Sequence, residues 1–287
     1  MIPTFVIFLR EGIEMSMVVA VLCAYLDKIG QRRYIRDVLA GVGAAVVLSL
    51  LAGVAIYQWV HTWSGTRAQT IFETVTYLLA AAILTYMTIW MRRHARTIST
   101  ELRDRTDVAL STGERRGLFL LSFQAVGREG LETVVFTLAI VFSTSGRGAL
   151  WGGLAGLVVS LGIAFSIFRL GAKLNLGRFF KVLGILLIIF AAGLVADAVG
   201  NLQELGWLPI LTHPMWSTDA VLAESSALGD ILHTLLGYSS QPTPLQLLAW
   251  VGYVAVAFLA IRRVGHPEGE RHHRRTSARP AARSAAQ

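Results

Sequence analysis

The sequence contains few charged residues and a single cysteine. Charged residues occupy 15% of its 287 positions, whereas about 25% is usual in soluble domains. Since 54% of the residues are hydrophobic, a soluble fold of this chain would lack the polar groups that cover a water-facing surface. The lone Cys23 rules out an intrachain disulfide and a CxxC metal site. The composition therefore predicts an integral membrane protein that crosses the bilayer several times.

Basic residues are missing from the extreme N-terminus, so a secretory signal peptide is not expected there. A membrane-spanning helix needs about 20 mostly apolar residues, and continuous apolar runs favour helices over strands. Seven stretches meet this requirement, which predicts an all-α fold with seven transmembrane helices. They lie at about 3–26, 38–60, 71–91, 117–142, 149–168, 179–199 and 245–261.

The positive charges are concentrated in alternate connections between these spans. Of the 26 Lys and Arg residues, 22 lie in or beside the connections after spans one, three and five, or in the segment after span seven. Cytoplasmic loops carry such an excess, so the N-terminus is predicted outside the cell and the C-terminus inside it. The net charge of +8 therefore reflects membrane topology and does not indicate a nucleic-acid partner.

Two short motifs place charged residues inside the first and fourth spans. Residues Arg10–Glu14 have the sequence Arg-Glu-Gly-Ile-Glu, and residues Arg128–Glu132 have the sequence Arg-Glu-Gly-Leu-Glu. Each motif opens a group of three spans, and because three is odd, the second group enters the membrane from the opposite side. This predicts an inverted repeat, with repeat one at about 1–91, repeat two at about 117–199 and an extra helix at about 245–261.

The chemistry of the motifs indicates a cation site near the membrane midplane. Residues three or four positions apart share a helix face, so the two glutamates of each motif project together and the arginine reaches the second one. Each ionisable group at this depth costs about 2.5–3.5 kcal/mol, and the two arginines balance only half of the glutamate charge. A cation, protons or both would neutralise the remainder. The predicted ligands are Glu11, Glu14, Glu129 and Glu132, with Arg10 and Arg128 as ion-pair support.

These motifs leave the identity of the ion open. Carboxylate oxygens suit hard cations, and this chemistry alone does not separate iron from manganese, magnesium or calcium. A purely structural alternative is that each motif forms a buried ion-pair knot between helices. The repetition of the motif and its excess of carboxylates favour a functional site.

Acidic residues also mark the outer side of the predicted membrane domain. Glu73 and Asp197 lie near the outer ends of spans three and six, and the external connection at about 200–244 has acidic residues but no Lys or Arg. An acidic mouth raises the local cation concentration, so Glu73, Asp197 and Glu204 are predicted to form an outer vestibule. Glu204 could equally be an ordinary capping or solvated residue.

The external connection also contains a short helical pattern. Apolar residues at helical spacing predict a surface helix at about 220–237. His213 and His233 lie in the same region and are interpreted as ordinary loop histidines. Neither histidine is assigned to the path of the ion.

The motif pair resembles the high-affinity, oxidase-dependent iron permease family, in its bacterial branch. The likeness covers about residues 1–262 and includes Phe72-Glu73 with Met87 to Met91, the stretch from Ala191 to Gly206, and Gly237-Tyr238 before the last span. The resemblance implies an iron permease of the cytoplasmic membrane, in which the motif glutamates carry iron. Members of the family are expected to carry the ferric ion, and the sequence itself leaves the oxidation state open. It also implies extracytoplasmic iron-binding or iron-oxidising partner proteins.

The sequence thus predicts a permease domain at 1–262 and a basic, disordered cytoplasmic tail at 263–287. Beside the lipid bilayer and the iron ion, no permanently bound cofactor is expected, and homo-oligomerisation is left open. One alternative keeps the fold and changes the cargo to another hard or toxic metal such as manganese or lead. The other is a non-transporting sensor or enzyme subunit. The connections are too short for a separate folded domain and show no nucleophile–base set, so an enzyme is not expected.

Overall fold

The computed structural model describes residues 2–94, 102, 104–108, 115–143, 148–170, 176–224 and 226–264, and within these ranges all regular secondary structure is helical. The all-α prediction is thereby confirmed. The elements are α1 (Ile2–Lys28), a 3-10 turn (Arg32–Tyr34), α2 (Ile35–His61), α3 (Arg67–His94), α4 (Arg115–Ser143), α5 (Ala149–Leu170), α6 (Leu176–Glu204), α7 (Ala227–Leu236) and α8 (Pro244–Val264).

Five stretches of the described chain are helical, long and apolar enough to cross a membrane. They are Arg32–His61, Arg67–Met91, Ala149–Ser166, Lys181–Glu204 and Pro244–Arg263, which match predicted spans two, three, five, six and seven. Helices α1 and α4 coincide with predicted spans one and four, but each carries the three charges of a motif near its middle. That these two helices also cross the membrane, and that the N-terminus lies outside, stay predictions.

The long helices pack closely in pairs. Helix α1 packs along α5, α2 along α4, and α3 along α6. Small residues allow this approach, since a Cβ added to Gly156 of α5 would lie 2.5 Å from the Phe5 carbonyl oxygen of α1. A Cβ added to Gly41 of α2 would lie 2.4 Å from the Phe119 carbonyl oxygen of α4. In the α1–α5 and α2–α4 pairs, the motif helix therefore lies against a face of small residues on its neighbour.

A buried core joins α1, α3, α4 and α6. Among its largest fully buried members are Ile7, Leu84, Phe136 and Leu187, one from each of these helices. The outer faces of α2, α5 and α8 expose apolar side chains instead. Among the most exposed are Leu50, Leu51, Val54, Val158, Leu161, Leu248 and Val256. An apolar surface of this extent is unfavourable in water and matches a lipid environment.

Helix α7 is shorter than predicted. The sequence pattern placed a helix at about 220–237, whereas the structure has turns at 219–221 and begins α7 at Ala227. The prediction was wrong for its first residues because Ser226 caps the helix: its hydroxyl oxygen accepts a hydrogen bond of 3.0 Å from the Gly229 backbone N–H. Gly237, with a φ of +69°, ends the helix in the left-handed conformation.

Two contacts hold α7 against the long helices. Gly237 approaches Gly193 of α6 so closely that an added Cβ at either glycine would lie within 3.0 Å of the other backbone. Trp250 of α8 donates a hydrogen bond of 2.9 Å from its indole N–H to the Leu236 carbonyl oxygen. The position of α7 over α6 is therefore fixed by both neighbours.

Candidate cation site

The first motif lies on helix α1, and all of its charged side chains are buried. The exposed fraction is 3% for Arg10, 1% for Glu11 and 8% for Glu14. Arg10 donates a hydrogen bond to Glu11, and its Nε lies 3.0 Å from Oε1 of Glu14. The second contact is an ion pair without hydrogen-bond alignment, since no described residue donates to that oxygen. One buried guanidinium therefore faces two buried carboxylates.

Helix α4 presents the second motif in a less enclosed setting. Arg128 donates from Nε to Oε1 of Glu132 at 3.1 Å, but its side chain is 45% exposed. Its guanidinium carbon lies 5.3 Å from the centroid of the Trp90 ring, a cation–π contact. Glu129 is buried, with 9% of its surface exposed, and yet it forms no ion pair within the described residues. The buried Glu129 carboxylate is thus left available to a ligand.

Carboxylates from both motifs meet at one place. One oxygen each from Glu11, Glu14 and Glu129 lies within 4.8 Å of the other two. Two oxygens that bind the same hard cation lie at most about 4–5 Å apart, because each metal–oxygen bond is roughly 2.0–2.6 Å long. Glu132 is near enough to Glu14 for their charges to interact. The structure therefore brings the four predicted ligands together, three of them at cation-binding distances.

Each of these four glutamates keeps one buried oxygen without a hydrogen-bond partner. Such orphan atoms among the described residues are Glu11 Oε2, Glu14 Oε1, Glu129 Oε2, Glu132 Oε2, Thr4 Oγ1 and Asn201 Nδ2. A buried polar group left unsatisfied costs about 1–3 kcal/mol, and a charged group costs more. Four of the six atoms are glutamate oxygens of the site, so a cation bound there would interact with the buried carboxylate oxygens that lack a hydrogen-bond partner among the described residues.

Two methionines of α3 contact the motif arginines. Met87 Sδ lies 2.9 Å from Nη2 of Arg128, and Met91 Sδ lies 3.9 Å from Nη2 of Arg10. A thioether is only a weak hydrogen-bond acceptor. It occupies a guanidinium nitrogen without adding charge to the site. The sequence pattern showed Met87 and Met91 only as part of the family likeness, and their contacts with the arginines were not foreseen.

The motif glycines also lie at close contacts of α1 and α4 with their partner helices. A Cβ added to Gly12 would lie 2.2 Å from Oγ of Ser160 in α5, and one added to Gly130 would lie 2.2 Å from Oγ of Ser49 in α2. The same contact thus occurs twice, each time between a motif helix of one half of the chain and a helix of the other half. Glycine is required at both positions because any side chain would push the motif helix away from its neighbour.

Replacement of Gly12 by alanine is expected to destabilise the protein. The new methyl group would overlap Ser160, and overpacking of this kind costs about 1–3 kcal/mol. The double variant Gly12→Ala, Ser160→Gly removes the obstructing side chain and should recover most of the lost stability. Thermal unfolding of the purified protein in detergent measures both. Gly43→Ala is the matched control, since its Cβ meets nothing within 4 Å. Equal melting temperatures for the two alanine variants would contradict the packing argument.

The three predicted vestibule residues lie on α3 and α6. Glu73 accepts a hydrogen bond of 2.7 Å from Nε2 of Gln69 and is near enough to Glu204 for their charges to interact. Asp197 is buried to about four-fifths of its side chain. Among groups of three or more possible metal ligands in the described chain, Glu11, Glu14 and Glu129 meet the distances of a metal site.

A cavity of about 170 Å³ opens beside Glu73. It is lined by Tyr57, Val60, His61, Gln69, Glu73, Val141 and Phe142. Its polar groups come from the ends of α2 and α3. One of the predicted vestibule residues therefore lines a cavity.

His233 is not the ordinary loop histidine that the sequence suggested. Its Nδ1 lies 2.7 Å from the Tyr238 carbonyl oxygen, and its Nε2 lies 3.9 Å from Oδ2 of Asp197. Burial opposes the charged form of the ring and is the largest single effect, but the Asp197 carboxylate, the Tyr238 carbonyl and Glu224 together outweigh it and raise the pKa of His233 above its usual value. The sequence contains no signal for this contact, because 36 positions separate the two residues.

A family model described as the Iron permease FTR1 family matches residues 1–264 of the chain. The chain belongs to this family. Membership places it among the membrane-embedded permeases for iron, as the sequence resemblance implied. No solved structure matches the chain.

Curated relatives cover nearly the whole of the family region. The protein named ferrous iron permease EfeU of Escherichia coli O157:H7 is 32% identical over 262 residues, which are 91% of this chain and 95% of the relative. The protein of the same name from Yersinia pestis is 33% identical over 261 residues, which are 90% of this chain and 92% of the relative. Both names specify ferrous iron, which differs from the ferric ion that the sequence resemblance implied.

Proposed function

We propose that this protein carries ferrous iron across the cytoplasmic membrane into the cell, and that Glu11, Glu14, Glu129 and Glu132 bind the ion on its way. The proposal rests on the set of four buried carboxylates, each with an oxygen to which no described residue donates a hydrogen bond. A divalent cation would neutralise the formal excess of two negative charges that remains after Arg10 and Arg128 are counted. Family membership supplies the identity of the metal.

The proposal includes all seven long helices as membrane spans, with α1 and α4 at the centre of an inverted repeat. Two equivalent contacts support it, Gly12 with Ser160 and Gly130 with Ser49. The clustering of Lys and Arg in alternate connections supports an external N-terminus and a cytoplasmic C-terminus. In this arrangement the two motif helices run in opposite directions and cross at the level of their glutamates, near the membrane midplane.

Transport by the purified full-length protein in liposomes tests this function. Radioactive iron kept ferrous with ascorbate should accumulate inside the vesicles, and ferric citrate should enter more slowly. Protein-free liposomes provide the background rate. Manganese, lead, calcium and magnesium in excess identify a different preferred cargo if one of them suppresses uptake at a lower concentration than unlabelled iron does. Vesicles that accumulate none of these metals would exclude the transport function.

The outer carboxylates belong to the same proposal as a vestibule that concentrates cations before they reach the buried site. Negative charge at a pore mouth raises the local cation concentration and thereby the rate of encounter. Extracytoplasmic iron-binding or iron-oxidising proteins would deliver the ion to this face. The proposal requires no resident cofactor.

Replacement of Glu73 by glutamine should raise the KM for iron without changing the maximal rate. Glu73 is only half-buried and lines the outer cavity, so its charge attracts the ion but is not required to hold it. A rise of about two- to fivefold at low ionic strength is expected, and salt should reduce the effect because it screens surface charge. Initial uptake rates at several salt concentrations provide the measurement. A loss of maximal rate with an unchanged KM would place Glu73 outside the vestibule.

A further inference from the structure

Helix α7 holds a histidine against a buried carboxylate, on the side of the candidate cation site that the proposed orientation places outside the cell. The helix is fixed at its start by the Ser226 cap and at its end by the contact of Gly237 with Gly193. His233 occupies the last turn of α7 and meets Asp197, which lies one turn beyond Gly193 in α6. The two side chains are about four-fifths buried. The contact is therefore built by the packing of two helices.

The hydrogen bond at Nδ1 fixes the orientation of the ring. The Tyr238 carbonyl oxygen can only accept a hydrogen bond, so Nδ1 carries a proton and donates it across 2.7 Å. The other nitrogen, Nε2, then points at Asp197 with its lone pair unless it too is protonated. A ring N–H held by a backbone carbonyl, with the second nitrogen directed at the metal, is the usual arrangement of a metal-binding histidine.

The geometry around Asp197 also suits a metal ligand. No described residue donates a hydrogen bond to this carboxylate, and its distance of 3.9 Å from Nε2 exceeds the 2.7–2.9 Å of a charge-assisted hydrogen bond. Two ligands of one metal ion lie about 3–4 Å apart, because each is roughly 2.0–2.2 Å from the metal. The Ser143 carbonyl lies against the ring, and Glu224 is near enough for its charge to act on both side chains.

We propose that His233 and Asp197 form an entry site that binds a transition-metal dication before it reaches the four-glutamate site. The inference rests on the proposed transport function for its place in the pathway, but the site itself is independent of it. Imidazole nitrogen favours iron and its transition-metal neighbours, whereas calcium and magnesium prefer oxygen. The entry site therefore supplies the discrimination that four carboxylates alone do not provide.

Pulsed electron paramagnetic resonance with Mn²⁺ as the probe tests the entry site directly. The experiment uses full-length protein that carries Glu14→Gln and Glu129→Gln. These changes weaken the four-glutamate site, here called the inner site, so that Mn²⁺ bound there no longer dominates the spectrum. The bound Mn²⁺ should show a ¹⁴N coupling from an imidazole. When His233→Asn is added to this double variant, the coupling should vanish. Asp197→Asn, which preserves the volume of the side chain, should also abolish it. His213→Asn is the matched control because it removes an exposed histidine of the same external region.

Three spectroscopic results would overturn the entry site. They are a coupling that persists in His233→Asn, bound Mn²⁺ without any coupling, and the absence of bound Mn²⁺. The second of these would mean that His233 and Asp197 form an ion pair only. A ¹⁴N coupling in a protein that fails to transport iron would leave the entry site intact and reject the transport function instead, so the two failures are distinguishable.

Iron uptake provides a second readout. With the inner site intact, His233→Asn should raise the KM for iron about tenfold and make uptake more sensitive to excess calcium or magnesium, with the maximal rate little changed. A purely structural role of His233 would lower the melting temperature and the maximal rate together. An unchanged KM and an unchanged sensitivity to calcium would contradict the proposal.

Discussion

Iron uptake is expected to fall at least about 100-fold when Glu129 is replaced by glutamine. Loss of an outer partner of a metal ligand already costs roughly 10–100-fold, and Glu129 is assigned to the ion itself. Its carboxylate forms no ion pair within the described residues, lies within 4.8 Å of ligand oxygens of Glu11 and Glu14, and retains an orphan oxygen. Glutamine preserves the size of the side chain and removes the charge that binds the cation.

The same replacement should leave the fold intact or stabilise it. It removes one of four buried like charges, so the repulsion between the carboxylates decreases when no cation is present. Uptake rates and melting temperatures are therefore expected to move in opposite directions. Glu14→Gln should also abolish uptake, and Asp37→Asn, which removes a partly exposed carboxylate at the start of α2, is the control for charge alone. Wild-type uptake by a correctly inserted Glu129→Gln variant would reject the assignment.

The two motif arginines are expected to differ in their effect on stability. Replacement of Arg10 by methionine leaves Glu11 and Glu14 buried without their cation, and breaking a buried ion pair costs about 3–5 kcal/mol. Arg128 has a side chain that is 45% exposed, so water can compensate Glu132 when that arginine is lost. The Arg10→Met variant should therefore give little folded protein, whereas Arg128→Met should be obtained in good yield. Size-exclusion profiles and melting temperatures in detergent show the difference.

A compensating change separates charge balance from packing. In the double variant Arg10→Met, Glu11→Gln, a neutral amide replaces the carboxylate that accepts the arginine hydrogen bond. A large part of the lost stability should therefore return. Transport should remain impaired, because Glu11 is a predicted ligand. If Arg10→Met and Arg128→Met are equally stable, the difference in burial between the motifs has no energetic consequence, and the account of the arginines fails.

The positions of the long helices were predictable from the sequence because hydropathy alone determines them. The predicted span at 38–60 lies inside α2 (Ile35–His61), and the one at 149–168 lies inside α5 (Ala149–Leu170). The helices extend beyond the apolar runs since their ends continue into the polar surroundings. The convergence of Glu11 and Glu14 with Glu129 was also foreseeable, because the motif repeats after an odd number of spans.

The sequence also contains a signal for the pairing of the helices. Small residues recur at every fourth position in α2 and α5, the helices that face the two motifs. They are Gly41, Ala45, Ser49 and Gly53, and Gly152, Gly156, Ser160 and Ala164. This spacing marks a close helix contact in a membrane. It would have predicted that α2 and α5 pack against the motif helices.

Other parts of the site depend on tertiary packing and leave no local signature. The exposure of Arg128 and its contacts with Met87 and Trp90 result from where α3 passes α4. The approach of His233 to Asp197 depends on the close contact of Gly237 with Gly193. Neither relation follows from spacing along the chain, because the partners belong to helices whose relative positions the pattern does not determine.

Anomalous X-ray diffraction at the iron edge, from crystals of the full-length protein grown with ferrous iron, tests the central claim most directly. The account predicts that the strongest peak lies between the carboxylates of Glu11, Glu14 and Glu129, roughly 2.0–2.6 Å from an oxygen of each. Iron bound elsewhere, with these glutamates paired only with Arg10 and Arg128, would contradict it.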